Sequence, residues 1–201
     1  MLTLLAKRVA VGATLVLAGG ALMVQPSSAA TGGGACTLKG QANFHPGPGI
    51  VQAATWSYDF GGGLTNCQSN VGAPASGLIS AGQKITVAGV EYQEPVPTGA
   101  GSCASGTTKG TAIVVWSDNT KTVIEYNTTS AGAGVALQGT VVSSVPVTGP
   151  TGVVTITTTR FLGAGVAGLL AFEVAAPAAC TTPGGATTAG IDGVTGIGSQ
   201  A

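Results

Sequence analysis

The chain has 201 residues, of which 34 are glycines, with seven Lys or Arg against seven Asp or Glu. Charged residues make up only 7% of it, and no basic stripe is present that could follow a phosphate backbone, which argues against a nucleic-acid partner. Solubility then depends on Thr, Ser, Asn and Gln, a composition that suits an extracellular protein.

The first thirty residues have the pattern of a signal peptide. Lys7 and Arg8 precede an apolar run over Val9–Val24, and Gln25–Ala30 ends in the small residues that a signal peptidase reads. An uncleaved membrane anchor is the alternative, but the apolar run is at the short end for a span. We therefore expect cleavage after this segment or one residue earlier, leaving a single secreted domain over 31–201 without a membrane span.

All four cysteines lie in the expected mature chain. An even number of cysteines in an exported protein favours two disulfides, and the wide spacing of these four argues against a metal site built from close cysteine pairs. Three pairings are open. If Cys36 opens the first strand and Cys67 follows the second, an antiparallel arrangement brings these two together and leaves Cys103 for Cys180, which is the pairing we predict.

Alternation of apolar and polar residues predicts a chain built from β-strands. The clearest element is a hairpin over Lys109–Tyr126, whose turn residues Ser117, Asp118 and Asn119 suit a tight loop. Three glycines, Gly61–Gly63, are expected to end the second strand, and the Pro- and Gly-rich segment Glu91–Ser105 is expected to be a long connection. The predicted strands, of which the third and fourth are weak, are Cys36–Phe44, Thr55–Phe60, Leu78–Ala81, Lys84–Val87, Thr111–Trp116, Thr120–Tyr126, Gly134–Ser143, Gly152–Arg160, Val166–Val174 and Ala186–Val194.

This pattern, counted as about nine strands without a helix, places the domain in the all-β class. The intervals between turns favour an immunoglobulin-like antiparallel β-sandwich, and an eight-stranded β-barrel is the main alternative. Trp56, Tyr58 and Phe60 alternate along one strand and are therefore expected to share a buried face.

Motifs for catalysis are weak. Gly163–Gly168 matches a dinucleotide-binding glycine pattern, but a strand rather than a helix follows it, so we interpret it as a turn. His45 is the only histidine and precedes a proline in a turn, and no serine stands in a nucleophile-elbow motif. One histidine and four paired cysteines also leave no ligand set for zinc, so we predict neither a metal nor a cofactor.

A pair of carboxylates is the one enzymatic arrangement that stays open, because glycoside hydrolysis needs only two acids at a suitable separation. Glu91 and Glu94 are close in sequence, although their segment is typical of a solvated loop. Asp59, Asp118 and Glu125 are candidates that folding could bring together, but strand alternation places Glu125 on the outward face.

For binding, exposed aromatic residues are the natural candidates. Trp116 stands at a strand end beside the hairpin loop, where alternation favours burial but the end position favours an exposed edge. Tyr92 lies in the Pro-rich connection. With the turn residues Asp118 and Asn119, these form the candidate binding set, although turn formation alone accounts for the last two.

The order of several segments resembles a known group of proteins. The run ACTLKGQANF is followed by LTNCQS, GSCASG, a strand ending in Trp116, FLGAG, AAC at Cys180 and a closing GIDGVTGIG. Together they resemble uncharacterised small secreted β-rich proteins of actinobacteria. The resemblance implies an exported β-protein and transfers no functional residue.

These observations favour a secreted or cell-wall-associated protein with a non-catalytic binding or structural role, whose partner is a cell-envelope glycan or another protein. An extracellular hydrolase that uses carboxylates is the first alternative. A subunit of a secreted toxin or inhibitor complex is the second.

Overall fold

The structure is a computed structural model that describes residues 33–49, 54–70, 72, 74–174 and 176–198. The predicted signal peptide and its cleavage site lie outside the described residues. Thirteen strands and one short 3₁₀ helix, Pro177–Thr181, make up the regular structure of this part of the chain. The strands are β1 (Gly34–His45), β2 (Ala54–Ser69), β3 (Gly77–Ala81), β4 (Lys84–Val87), β5 (Val90–Gln93), β6 (Thr98–Gly101), β7 (Ser105–Trp116), β8 (Lys121–Ala131), β9 (Gly134–Val142), β10 (Ser144–Gly149), β11 (Gly152–Thr157), β12 (Gly165–Val174) and β13 (Thr188–Gly198).

The main sheet closes on itself as an antiparallel barrel with eight strand positions. Its order is β1, β13, β12, β9, β8, β7, then β3, then β2, and β2 pairs with β1 to complete the ring. Closure leaves no long unpaired edge for another chain to join. The fold is thus the eight-stranded barrel that was the alternative prediction from the sequence. The first prediction, an immunoglobulin-like sandwich, does not describe the main sheet.

One of the eight positions is divided between two short strands. Between β2 and β7, β3 fills one end of the position through pairs such as Leu64 with Gly77, and β6 fills the other through pairs such as Trp56 with Gly99. The chain between them, residues 82–97, leaves the barrel wall and returns to it. We call the place where β3 stops and β6 starts the wall junction.

A second sheet lies against the outside of the barrel. Its order is β11, β10, β5, β4. Ile113 on β7 and Val123 on β8 point away from the barrel interior and pack with Val145, Val147 and Ile156 in a separate apolar cluster. Around Ile113 and Val123 the β7–β8 hairpin is therefore buried on both faces, as a middle layer between two cores.

The barrel interior is filled by every second residue of its strands. On β1 these are Leu38, Ala42 and Phe44, and the neighbouring β2 contributes alternate aromatic residues followed by Leu64. Trp56, Tyr58 and Phe60 are all buried in this cluster, which confirms the predicted core face. The alternation arises because successive side chains of a strand point to opposite faces of the sheet.

The two disulfides join the cysteines that the sequence suggested, Cys36 with Cys67 and Cys103 with Cys180. The first lies near Trp116 and Phe161, at what we call the Trp116 end of the barrel. The second ties the segment after β6 to the 3₁₀ helix at the opposite end, which we call the Cys103 end. There Cys103 N–H donates to the Gly49 carbonyl, and Ala186 N–H donates to the Pro48 carbonyl.

Three segments differ from the sequence expectations. The glycines Gly61–Gly63 do not end β2, because β1 and β3 pair with them on either side and the ladder continues to Ser69. The Pro-rich connection Glu91–Ser105 contains most of β5 and all of β6. The strand β10 was also not predicted from the sequence, because Pro146 has no backbone N–H to donate to a ladder and therefore argues against a strand.

The hairpin and the turn before β12 are confirmed. Val114 pairs with Thr122 across the β7–β8 ladder, and Asn119 has the left-handed conformation of the connecting turn, with φ of 64°. Gly163, with φ of 77°, belongs to the turn that precedes β12, as predicted for the glycine motif. Within the described part of the chain, no helix has the length and apolarity to span a membrane.

Replacement of Ile113 tests the attachment of the second sheet to the barrel. Ile113→Ala should lower the free energy of unfolding by about 2–5 kcal/mol, because it opens a cavity in the outer cluster. Leu169→Ala is the control, since Leu169 is 59% exposed on the barrel surface and its loss should change stability by about 0.5 kcal/mol or less. Denaturant titrations of both variants measure the difference, and equal values would contradict the packing described.

Candidate functional site

The most site-like feature of the described chain is a cavity of about 130 Å³ inside the barrel. Apolar side chains from the whole ring of strands line it, including Phe44, Trp56, Val114 and Leu170. No charged side chain is present among the described lining residues. Because burying an unpaired charge carries a large free-energy cost, an ionic ligand is disfavoured in this cavity.

The aromatic residues at the Cys103 end form one side of the cavity. Phe44 lies in the middle of the group, with its ring centroid 6.5 Å from that of Trp56, 5.8 Å from that of Tyr58 and 5.9 Å from that of Phe172. Such edge-on and tilted contacts fix the ring positions. This side of the cavity is therefore built of mutually supporting rings.

A chain of four hydroxyl groups crosses the interior. Tyr126 Oη lies 2.6 Å from Tyr58 Oη, Tyr58 donates to Thr108 Oγ1 at 3.1 Å, and Thr108 Oγ1 lies 2.7 Å from Thr128 Oγ1. Each hydroxyl has one proton to donate. Since Tyr58 gives its proton to Thr108, Tyr126 donates to Tyr58, and the phenols and threonines largely satisfy one another.

Both phenols are held in the neutral form. Burial raises the pKa of Tyr58, and the hydrogen bonds to Thr108 and Tyr126 offset only part of that effect. Burial raises the pKa of Tyr126 well above its ordinary value, and the nearby Tyr58 and Glu94 raise it further. The hydroxyl chain thus supplies neutral polar groups to an otherwise apolar interior.

Glu94 is a buried acid at the wall junction. It is 1% exposed, its Oε1 accepts from Ser80 Oγ at 2.6 Å and its Oε2 accepts from the Gln83 N–H at 3.0 Å. Burial raises the pKa of this carboxyl despite the two hydrogen bonds. The expectation of a solvated loop at Glu91 and Glu94 is therefore wrong for Glu94, because β3 and β5 enclose it, whereas Glu91 lies at the surface beside Lys84.

Trp116 and Tyr92, the predicted binding aromatics, are both buried. Trp116 is 3% exposed inside the barrel, and its Nε1 donates to Thr122 Oγ1 at 2.8 Å. Tyr92 is 6% exposed in β5, on the buried face of the second sheet, and its hydroxyl lies 2.7 Å from Thr151 Oγ1. Trp116 is buried, as strand alternation favoured, and not exposed as its position at the strand end suggested. Tyr92 lies in the strand β5 where the sequence predicted a loop. Neither ring is available for stacking on a surface ligand.

Asp118 and Asn119 lie in the β7–β8 turn, as predicted. Asp118 Oδ1 accepts from the Thr120 hydroxyl and backbone N–H, and its Oδ2 is 2.8 Å from Arg160 Nη2. The Thr120 hydroxyl hydrogen bond and the Arg160 guanidinium lower the pKa of the Asp118 carboxyl. Asn119 adopts a left-handed conformation that asparagine tolerates well. These contacts are those of a stabilised turn.

The remaining catalytic candidates are dispersed. His45 Nε2 lies 3.3 Å from Asp59 Oδ2, but the Ser57 hydroxyl donates to the His45 carbonyl rather than to the imidazole. Glu125 is exposed on the outer face of β8, as alternation predicted. Within the residues that the structure describes, no three His, Cys, Asp or Glu side chains are grouped as a metal site requires.

A groove with several polar side chains lies on the outside of the barrel, across β2, β6, β7 and β8. Its outward-facing lining includes Ser57, Thr107, Lys109 and Asn127, with His45 at one end. The groove is open to solvent and shares Trp56 and Thr108 with the interior cavity as part of the wall between them.

Sequence reasoning identified the core aromatics but missed the cavity and Glu94. The alternate residues Thr108, Ala112 and Val114 of β7 mark one interior face, but only closure brings eight such faces around a common space. A scan of protein-family models and searches of curated proteins and of solved structures find no match to this chain. The site is therefore interpreted from its own geometry.

The raised pKa of Glu94 predicts a pH-dependent effect on stability. The folded state holds the Glu94 proton more tightly than the unfolded state, so this carboxyl favours folding at low pH and that contribution is lost as the pH rises above the ordinary value of 4.5. Glu94→Gln keeps a neutral side chain that can accept from Gln83 and donate to Ser80. We expect its free energy of unfolding, relative to the wild type, to increase as the pH rises from 4.5 toward neutrality.

Chemical denaturation of the two proteins from pH 4 to pH 8 measures this difference. Glu91→Gln is the matched control, because Glu91 is exposed and paired only with Lys84 at 3.7 Å. A difference for Glu94→Gln that stays constant across this range would contradict the raised pKa.

Proposed function

We propose that this protein is an exported, non-catalytic binding protein that encloses a small, neutral, apolar molecule in its barrel. The observation that carries the proposal is the uncharged cavity of about 130 Å³ in the described interior. An eight-stranded barrel has an interior of the size that side chains can fill or that can hold one small ligand. Here the side chains leave part of it unfilled.

The size and chemistry of the cavity define the class of ligand. An apolar cavity of about 150 Å³ stays free of water and can hold one benzene molecule. A slightly smaller space suits a compact ring or a short branched chain of about the size of benzene, roughly six non-hydrogen atoms. The aromatic side chains Phe44, Trp56 and Phe172 offer such a molecule flat apolar surfaces.

Export is supported by the sequence pattern and by the disulfides. The first thirty residues carry the signal-peptide pattern, and the resemblance to small secreted proteins of actinobacteria points the same way. Every cysteine is paired, and disulfides of this kind persist mainly in oxidising compartments. A secreted protein can keep such covalent ties, because it is away from the reducing systems of the cytoplasm.

A binding role is favoured over catalysis by the state of the polar groups. The phenols are neutral and hydrogen-bonded to each other or to Thr108, and Glu94 is already engaged with Ser80 and Gln83. A general acid or base needs a free position for the reacting atom within hydrogen-bond reach. The alternative of a carboxylate hydrolase would be supported if one acidic replacement abolished turnover of a polysaccharide.

Filling the cavity tests the proposed binding site. Ala112 lines the cavity, whereas Ala136 is exposed on the outer face of β9. With benzene as the probe, the wild type should show saturable binding and a raised Tm, since a ligand that binds only the folded state stabilises it. Ala112→Leu should weaken benzene binding at least tenfold, and Ala136→Leu should leave it unchanged.

Isothermal titration calorimetry and thermal unfolding with benzene provide the measurements. Near-ultraviolet circular dichroism checks that each variant keeps its packed aromatic residues. An absence of saturable binding to the wild type, for benzene and for cyclohexane alike, would overturn the proposal.

The outer groove supports a second candidate function, retention at the cell wall through a glycan. Its lining side chains Lys109 and Asn127 could donate hydrogen bonds to sugar hydroxyls, and the Ser57 hydroxyl oxygen could accept one. The double variant Lys109→Ala, Asn127→Ala should then lose retention on purified insoluble cell wall, whereas Lys84→Ala on the second sheet should not. Equal retention of all three proteins would exclude the groove as the wall-binding surface.

A further inference from the structure

Trp56 has a buried hydrogen-bond donor without a partner. Its side chain is 6% exposed, and Nε1 is the one buried side-chain nitrogen or oxygen in the described chain that has no hydrogen-bond partner. Buried indole N–H groups normally find an acceptor, because an unsatisfied buried donor has lost its hydrogen bonds to water without replacement. An unpaired donor beside an unfilled cavity therefore calls for an explanation.

The other tryptophan of the barrel has a hydrogen-bond partner for its indole N–H. Trp116 is buried to a similar degree at the opposite end, and its Nε1 donates to Thr122 at 2.8 Å. The same interior thus supplies a dedicated threonine to one tryptophan and none to the other. The difference singles out the Cys103 end, where Trp56 lies.

The Trp56 donor lies on the inner side of the barrel wall. Gly99, which pairs with Trp56 across the β2–β6 ladder, faces inward, and a Cβ at this position would collide with Trp56 Nε1. Glycine is therefore required there for the indole to pack against the wall. The ring lines the cavity together with Tyr58 and Thr108.

The hydroxyl groups nearby are already committed. Tyr58 donates to Thr108 and contacts Tyr126, and Thr108 also contacts Thr128. Their hydrogen bonds run along the chain of hydroxyls and do not include the indole. None of the described protein atoms accepts from Trp56 Nε1, and a molecule held in the cavity that its ring lines is one source of an acceptor.

We propose that the ligand carries one neutral acceptor oxygen, a carbonyl or an ether, which accepts a hydrogen bond from Trp56 Nε1. This inference rests on the proposed function and specifies its ligand class as a small cyclic or branched ketone, aldehyde or ether. The indole N–H is only a donor, so it selects an acceptor. The uncharged lining selects against carboxylates and ammonium ions.

The test compares a ketone with a hydrocarbon of similar shape. Cyclohexanone and methylcyclohexane have the same number of non-hydrogen atoms, and the ratio of their affinities is measured by calorimetry for the wild type, Trp56→Phe and Trp116→Phe. Trp56→Phe should reduce the ketone-to-hydrocarbon affinity ratio about fivefold, the effect of losing one net hydrogen bond. Trp116→Phe should leave the ratio unchanged, because Thr122 keeps its bond to the Arg160 carbonyl.

Nuclear magnetic resonance of the wild type gives a second readout that does not depend on a variant. The Trp56 indole proton should move downfield when cyclohexanone binds and should not do so with methylcyclohexane, while the Trp116 proton should stay in place with both. Binding of both probes with an unchanged ratio in Trp56→Phe, or with no downfield shift, would overturn the acceptor and leave the cavity proposal standing. Failure of both probes to bind would overturn the cavity proposal itself.

Discussion

Ring closure is the constraint on which the rest of this molecule depends. Once β1 pairs with both β2 and β13, every strand of the wall has a neighbour on each side, and half of its side chains must face a common interior. The apolar residues of the chain can then be buried although it has few aromatic side chains. Closure also fixes the interior volume. Where the inward side chains are too small to fill it, the strands cannot move closer together and a cavity is left.

The divided wall position is a second consequence of closure. β3 and β6 each complete part of one position, so the chain can leave the wall between Ala81 and Thr98 without opening the barrel. The wall junction brings polar backbone into a buried place, and Glu94 accepts the hydrogen bonds offered there by Gln83 and Ser80. Glu94 thereby stabilises the wall junction, close enough to Tyr126 to raise the pKa of that phenol.

Local structure was largely predictable from the sequence, and its global arrangement was not. Alternation along β1 and β8, and the β-branched residues of β7, identified these strands. A sandwich and a barrel share that pattern, and the difference depends on pairing between β1 and β13, at opposite ends of the domain. The disulfides were predictable because Cys36 and Cys67 follow from the pairing of consecutive strands.

Glu94 and Tyr92 were misjudged for a related reason. Prolines and glycines around them indicate a connection. The two short strands there are defined by their partners, since β6 pairs with the long strands β2 and β7 and β5 pairs with β4 and, at one position, with β10. The cavity could not be predicted from the sequence either, since an empty volume depends on how the inner faces of all eight strand positions fit together. Trp56 was correctly predicted as a core residue, but its missing acceptor becomes apparent only when all neighbouring hydroxyls are located.

The double burial of the β7–β8 hairpin has a consequence for how the protein moves. Its ladder, from the pair Ser105 and Ala131 to the pair Val115 and Lys121, is shielded by the barrel core on one side and, over the part near Ile113, by the second sheet on the other. Backbone amides enclosed in this way exchange with solvent only when large parts of a structure open together. The amides around Ile113 are thus expected to be among the slowest to exchange in the described chain, and smaller local openings elsewhere can occur without loss of the fold.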